Sequence, residues 1–255
     1  MIITIQIDHR SYAVDFSTSY DLSIPVKHGE DNVSAWYLDR PTISPVVMDD
    51  FVGQVSQGGS TNFNSIWFNP HAHMTHTECL GHITAEFYSV NKQLKEYHFP
   101  AFLITVEPTK KGEDLQIGLS QLKARLEKRT LIKEVDALVI RTLPNTPAKQ
   151  SKKYDHTNPP YFTEEAMDYI VSLGIDHLLV DLPSVDKEKD GGALRAHHSF
   201  WKTKTDKPRK NATITEFIYV DDEISDGFYL LDLQVAPFEN DASPSRPVLY
   251  PLEKA

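Results

Sequence analysis

The sequence of 255 residues predicts an α/β protein: a mixed β-sheet with flanking helices, folded as one domain over residues 1–255. Three observations carry that expectation. Residues 137–140 (Ala-Leu-Val-Ile) and 178–180 (Leu-Leu-Val) are short unbroken apolar runs, as expected of strands buried on both faces. Between them lies a segment with helical spacing and clear end signals, from Thr163 to Gly174. No internal repeat, low-complexity tract or linker divides the chain.

Taken in order, Ile3, Ile5 and Ile7 alternate with Thr4 and Gln6, the pattern of a half-buried strand. Residues 21–25 and 36–38 read as further short strands or loops. Residues 53–65 are rich in Gly, Ser, Gln, Thr and Asn and read as a loop. The apolar run 102–106 is a strand ended by Pro108. Ser120 is placed to cap a helix running to about Lys128, with Leu122 and Leu126 on its buried side. Thr163 caps the next helix: Glu164 and Glu165 suit its positive end, Met167, Ile170 and Val171 form its buried stripe, and Gly174 follows its last turn. The strand at 178–180 then delivers Asp181-Leu182-Pro183-Ser184-Val185-Asp186 at its C-terminal end, ahead of a charged loop at 187–192. Segments 214–220 and 228–235 are strands by β-branched and aromatic content, and 248–252 is the last.

Composition is that of an ordinary globular protein, with 40% hydrophobic and 24% charged residues. A formal charge of −10 argues against nucleic-acid and anionic-membrane partners, which require a basic face. The basic run from Lys202 to Lys210 is the local exception and reads as a solvated loop. Cys79 is the only cysteine, so no internal disulfide forms, which fits a reducing compartment. The N-terminus lacks a basic n-region, and no apolar run approaches the ~20 residues of a membrane span. The expectation is a soluble cytoplasmic protein whose partner is a small-molecule substrate.

The chemistry concentrates in residues 70–82. His71, His73, His76 and His82, four of the chain's 11 histidines, lie there with Glu78. Imidazole and carboxylate are the usual ligands of zinc and similar divalent ions. If the segment from Thr75 is extended, His76, Glu78 and His82 share a face with Leu80, while Thr77 and Cys79 point oppositely. Same-face neighbours on a strand lie ~7 Å apart, close enough for His76 and Glu78 to hold one ion. His71 has the opposite parity and joins them only through a turn or bulge near Pro70. His73 reads as a bystander and Cys79 as a buried, inert thiol. Open and two-metal sites assemble from separate segments, and the candidates elsewhere are the His197-His198 pair and Glu216. Glu216 stands in an otherwise apolar strand, which is costly unless the carboxylate is paired or metal-bound. An edge-strand glutamate facing solvent is the alternative.

Thr75-His76-Thr77-Glu78 with His82 resembles the signature His-x-Gly-Thr-His-x-Asp-x-Pro-x-His of the cyclase family of metal-dependent hydrolases, which includes bacterial kynurenine formamidases and isatin hydrolases. Asp21-Leu22-Ser23 is similar to the family's N-terminal Asp-Leu-Ser, and residues 181–186 to its Asp-Thr-Pro-Ser-x-Asp element. Residues 138–142 with 160–166 resemble its central strand and helix entry. Ala196-His197-His198, Ile214-Thr215-Glu216 and residues 243–248 resemble its later ligands and closing segment. The chain departs from the signature at Met74 (Gly), Glu78 (Asp) and Leu80 (Pro), and it has one extra residue between His71 and Thr75.

The resemblance implies a swivelling β/β/α-type fold carrying one or two divalent ions, zinc or manganese. It implies His71, His76 and Glu78 as ligands, with Glu78 bridging to a second ion held by His197 and Glu216. It makes His82 the acid/base residue, favours His197 over His198, and implies a homodimer or larger assembly. The expected reaction is hydrolysis of an amide bond, arylformamidase-like, with ester or lactone cleavage also within reach. Asp186 and Ser184 are candidates to orient a metal-bound histidine. Two other readings stand beside it. In a cupin-like metal-binding oxygenase or binding protein, His71 and His73 would hold the ion, although Ala85 stands where that motif expects glycine. The other is a non-catalytic family member that binds a small molecule.

Overall fold

In the computed structural model, which describes residues 1–255 apart from the Thr130 side chain, ten strands form one sheet. They are β1 (Ile2–Ile7), β2 (Arg10–Asp15), β3 (Tyr20–Asp21), β4 (His76–Cys79), β5 (His98–Val106), β6 (Ala137–Thr142), β7 (His177–Val180), β8 (Thr213–Glu216), β9 (Gly227–Val235) and β10 (Ala242–Lys254). β5, β6, β7 and β8 run parallel, while β4, β9 and β10 join antiparallel. Because β10 pairs with both β9 and β4, the 7 strands β10-β9-β5-β6-β7-β8-β4 close into a barrel. β1 and β2 extend the sheet beyond β10.

Besides a single helical turn at Val90–Gln93, the helices are α1 (Pro70–His73), α2 (Leu119–Leu126), α3 (Glu164–Ser172) and α4 (Arg195–Trp201). The strands at the centre read as apolar runs because both their faces are covered. On β6, Leu138 and Ile140 pack with Leu122, Met167, Ile170 and Phe200 of the helices. Ala137 and Val139, one residue out of phase, pack with Leu179, Leu231 and Leu249 in the second core cluster. α3 starts as expected: the Thr163 hydroxyl accepts from Ala166 N at 3.3 Å, and Gly174 takes φ +87° just past the helix.

Several elements differ from the expectation. α2 begins at Leu119, so Ser120 lies inside its first turn, and Gly118 N donates to Gln121 Oε1 at 3.1 Å instead. In β1, Ile3 is exposed, because that strand pairs only with β2 at the sheet's outer end. β8 stops at Glu216, where Phe217 turns to φ +56°. β10 is far longer than 248–252: Pro244, Pro247 and Pro251 mask it, since proline removes a ladder donor. Residues 53–65 are loop apart from a 3-10 turn at Val55–Gln57 and the start of Asn64–Trp67, which pairs with Thr42–Pro45; just before the segment, Val47–Met48 pairs with Phe51–Val52. In the basic segment Arg209 turns inward, donating to Phe200 O at 2.8 Å and Asp176 Oδ1 at 2.7 Å. Among the described residues, no helix is long and apolar enough to cross a membrane.

Candidate metal centre

β4 lies between β8 and β10, with His76 opposite Glu216 and Glu78 opposite Ile214 and Ala242. Directly opposed residues share a face, so His76, Glu78 and Glu216 project to one side. Thr77 and Thr215 project to the other, their hydroxyls 2.7 Å apart. Thr75 pins the start of the strand: its hydroxyl accepts from Ile24 N at 2.6 Å and donates to Phe217 O.

The extended conformation ends at Cys79. A 3-10 turn over Leu80–Ile83 then folds His82 back until its Nε2 lies 3.8 Å from Glu78 Oε2. Strand parity therefore does not place His82, and Leu80 packs into the core beside the helices. His71 arrives on α1, a single helical turn, which settles the turn-or-bulge alternative in favour of a turn. Asn69 Oδ1 caps that helix by accepting from His71 N at 2.9 Å, and Trp36 Nε1 donates to the His71 carbonyl at 3.0 Å.

These elements bring His71, His76, Glu78, His82, His197 and Glu216 together. His71 Nδ1 lies 3.1 Å and His76 Nε2 4.0 Å from Glu78 Oε2. His197 Nε2 lies 3.0 Å from Glu78 Oε1. Glu216 closes the far side, 3.5 Å from His76 Nε2 and 3.9 Å from His197 Nε2. His71, His76 and Glu78 each offer a ligand atom within 4.8 Å of the others, and so do Glu78, His82 and His197.

A divalent cation fits this cage by the chemistry of two atoms. His76 Nδ1 faces the Met74 carbonyl at 3.1 Å, which can only accept, so Nδ1 carries the hydrogen and Nε2 a lone pair. That Nε2 and Glu78 Oε2 are both buried without a hydrogen-bond partner. Buried polar atoms are seldom left so, and here the pair is one imidazole nitrogen and one carboxylate oxygen.

The field of the site is balanced between rings and carboxylates. Burial alone would push His71 down, but Asp241 and Glu78 raise it to about 10. Burial likewise opposes a charge on His197, and Asp186 and Glu78 raise it to about 10. Glu78 is fully buried, which disfavours its charge, yet His82, His197 and His71 hold it well below the usual carboxylate range.

The remaining residues sort themselves by contact. His198 turns away to the Thr203 hydroxyl at 2.5 Å, so His197 is the member of that pair in the cage. Asp186 Oδ2 holds His197 Nδ1 at 2.6 Å, while the Ser184 hydroxyl accepts from Asp186 N and does not reach the ring. Glu216 is buried, with Oε1 accepting from Val185 N at 3.0 Å, so it does not face solvent. His73 lies outside the cage, its Nδ1 accepting from Asn69 N at 3.0 Å and its ring against Trp67, which removes the cupin-like pairing with His71. Cys79 is buried, and burial raises its thiol to about 11. One residue was missed: Asp241 Oδ2 sits 2.9 Å from His71 Nε2 and 3.2 Å from His82 Nδ1. Its only sequence signal is its place just before the closing segment, and the pairing of Ala242 with Glu78 brings it in.

The Cyclase family model matches residues 20–187. A solved structure described as a potential metal-dependent hydrolase with cyclase activity is similar at 15% identity, over 92% of this chain and 98% of that one, with a TM-score of 0.63. An isatin hydrolase bound to the product analogue thioisatinate is similar at 17% identity, over 93% of this chain and 92% of its own, with a TM-score of 0.64. Isatin hydrolase A from Labrenzia aggregata, bound to benzyl benzoate, is similar at 12% identity over 92% and 94%, with a TM-score of 0.64. At these identities the structural likeness shows a shared fold. No curated protein matches the chain by sequence.

Proposed function

This chain belongs to the Cyclase family, and on that premise we propose that it is a metal-dependent hydrolase cleaving an amide or ester bond, a cyclic amide or lactone included. The observation that carries the reading is the convergence of buried ligand atoms: His76 Nε2 and Glu78 Oε2 have no hydrogen bond, and His71 Nδ1 lies 3.1 Å from the same carboxylate oxygen. His71, His76 and Glu78 would hold one divalent ion, zinc or manganese. His197 and Glu216 would hold a second, with Glu78 between the two. A bound ion of this kind supplies Lewis acidity, lowering the pKa of water and polarising a carbonyl.

The chain's own residues supply position and proton transfer. Asp186, through its bond to His197 Nδ1, fixes which nitrogen of that ring faces Glu78. Asp241 does the same for His82: with Nδ1 held at 3.2 Å, Nε2 is left toward the cage as the atom that takes a proton from water and returns it to the leaving amine or alcohol. The His82 side chain is 30% exposed while His76, Glu78, His197 and Glu216 beneath it are buried, so it stands where a substrate enters. Its ring stacks on His71 at 4.3 Å between centroids, which limits its rotation.

The substrate class follows the solved relatives: isatin, a ring amide, is the first candidate, with N-formylkynurenine and simple aryl esters beside it. The test is to count metal in the purified protein, strip it, and assay those three substrates before and after restoring zinc or manganese. The reading expects activity to vanish on stripping, to return with metal, and to be lost in His76→Ala and Glu78→Gln. Full turnover after complete metal removal would sink it. Metal content without turnover across amides, lactones and esters would favour the binding-protein reading.

A further inference from the structure

Two histidines at the edge of the cage each present one nitrogen to Glu78 and the other to a single oxygen of Asp241. His71 turns Nδ1 to Glu78 Oε2 at 3.1 Å and Nε2 to Asp241 Oδ2 at 2.9 Å. His82 turns Nε2 to Glu78 Oε2 at 3.8 Å and Nδ1 to the same Asp241 oxygen at 3.2 Å. Their rings stack at 4.3 Å between centroids, so the outward nitrogens stay side by side. His71, His82 and Asp241 thus offer two ring nitrogens and a carboxylate oxygen within 4.8 Å of one another, a second donor set back to back with the first. It differs from the cage in access. The side chains of His71, Asp241 and His82 are 19%, 24% and 30% exposed, against 0% for His76 and Glu78. Among the described residues, Asp241 pairs with these two histidines and with no Lys or Arg. Residues 41–91 contain neither, so no fixed cation competes at this mouth.

We infer that His82 Nδ1, Asp241 Oδ2 and His71 Nε2 form an inhibitory site at the mouth for a further divalent ion, zinc before manganese. This rests on the hydrolase reading, in which His82 Nε2 takes a proton from water. In the resting arrangement His82 Nδ1 lends its hydrogen to Asp241, and Nε2 keeps the lone pair. A ring nitrogen binds an ion only without its hydrogen. At the mouth, His82 Nδ1 therefore gives its lone pair to the ion, and the ring's hydrogen passes to Nε2. With Nε2 so protonated, His82 has no atom left to accept a proton from water, and turnover stops while the cage keeps its metal. His71 joins by losing its Nε2 hydrogen to solvent. Two imidazoles with one carboxylate suit zinc, and affinity for nitrogen donors rises from manganese to zinc. The mouth set is open to water, where charges attract less strongly, and it shares His71 with the cage. It therefore fills only at free zinc above that which loads the cage.

The experiment is equilibrium dialysis of the full chain, wild type and His82→Gln, against buffered free zinc, with bound metal counted by mass spectrometry. Circular dichroism and melting temperature check that the variant is folded, and Asp241→Asn, which should lose the same ion, serves as the second variant. The expected result is one more zinc per chain in wild type than in either variant, with a midpoint above that of the cage. Wild-type turnover should fall about 10-fold at about ten times that midpoint, as for a single ion that excludes activity. Manganese at the same concentration should leave turnover unchanged. Equal zinc counts in wild type and the folded variants overturn the inference. So does a His82-dependent ion that leaves turnover untouched. The count needs no turnover, so the two readings fail separately: a wild type without cage ions sinks the hydrolase reading, and one with cage ions but no His82-dependent ion sinks this one alone.

Discussion

Glu78→Gln is the perturbation with the largest consequence that can be worked out from the structure. The side chain is fully buried, with Oε1 facing His197 Nε2 at 3.0 Å and Oε2 facing His71 and His76. Glutamine keeps its shape but removes the charge and turns one acceptor into a donor. An ion that binds only the folded chain stabilises it by about 2.7 kcal/mol at a hundredfold excess over Kd. In a protein of this size each kcal/mol moves Tm by roughly 2–4 °C, so zinc or manganese should raise the wild-type Tm by roughly 5–11 °C. If the variant binds about 100-fold more weakly, the same ion concentration leaves about 0.4 kcal/mol, a rise below about 2 °C. The assay is calorimetry of chelator-treated protein with and without added ion, with His73→Ala as control. His73 lies outside the cage, so that variant should melt lower yet keep the full ion-dependent rise. A full rise in Glu78→Gln, or none in wild type, refutes the reasoning.

Four further outcomes follow from particular contacts. Asp241→Asn should lower turnover at saturating metal by about 10- to 100-fold and weaken metal binding as well, because both His82 and His71 lose the carboxylate that sets their rings; unchanged kcat and metal affinity would remove Asp241 from the mechanism. Lys149→Met should cost about 3–5 kcal/mol in urea unfolding, since Lys149 Nζ lies 2.6 Å from Asp181, whose side chain is wholly buried and would be left without its cation. Thr163→Ala should cost about 1 kcal/mol with activity intact, and a loss below about 0.3 kcal/mol would mean the hydroxyl does not cap α3. Burial lowers His177 to about 4 against its ordinary 6.5, so its contribution is complete above pH 6.5 and declines as pH falls toward 4, by up to about 3 kcal/mol. His177→Gln should flatten that part of the stability–pH curve; an unchanged slope would assign it to other groups.

The central strands and α3 were legible because their signals are local. Unbroken apolar runs mark strands covered on both faces, and Thr163 with Glu164, Glu165 and Gly174 marks both helix ends. β10 was not, because its three prolines argue against a strand and only pairing with β9, β4 and β2 compensates. The short ribbon of Thr42–Pro45 with Asn64–Trp67 was hidden for a related reason: Asn, Ser and Gly within 53–65 look like loop chemistry, and its paired residues stand 19 to 25 positions apart. At the metal centre, residue type and density singled out the histidines and Glu78, residue chemistry offered the His197-His198 pair and Glu216, and the resemblance chose His197. Parity then gave the right face for His76 and Glu78 but the wrong route to His82, which depends on a 3-10 turn starting at Leu80. Asp241 depended wholly on barrel closure. Nothing near it in sequence announces a site residue, and only the β4–β10 pairing sets it beside His71 and His82.

The central claim is that His71, His76 and Glu78 surround a divalent cation. The most direct test is anomalous scattering from crystals grown with zinc or manganese, collected on either side of the metal absorption edge. A peak is expected within coordination distance of His76 Nε2 and Glu78 Oε2, the two atoms of the cage that are buried without a hydrogen bond. A difference map with no peak in that cage at saturating metal, or with its peak on surface residues alone, would contradict it.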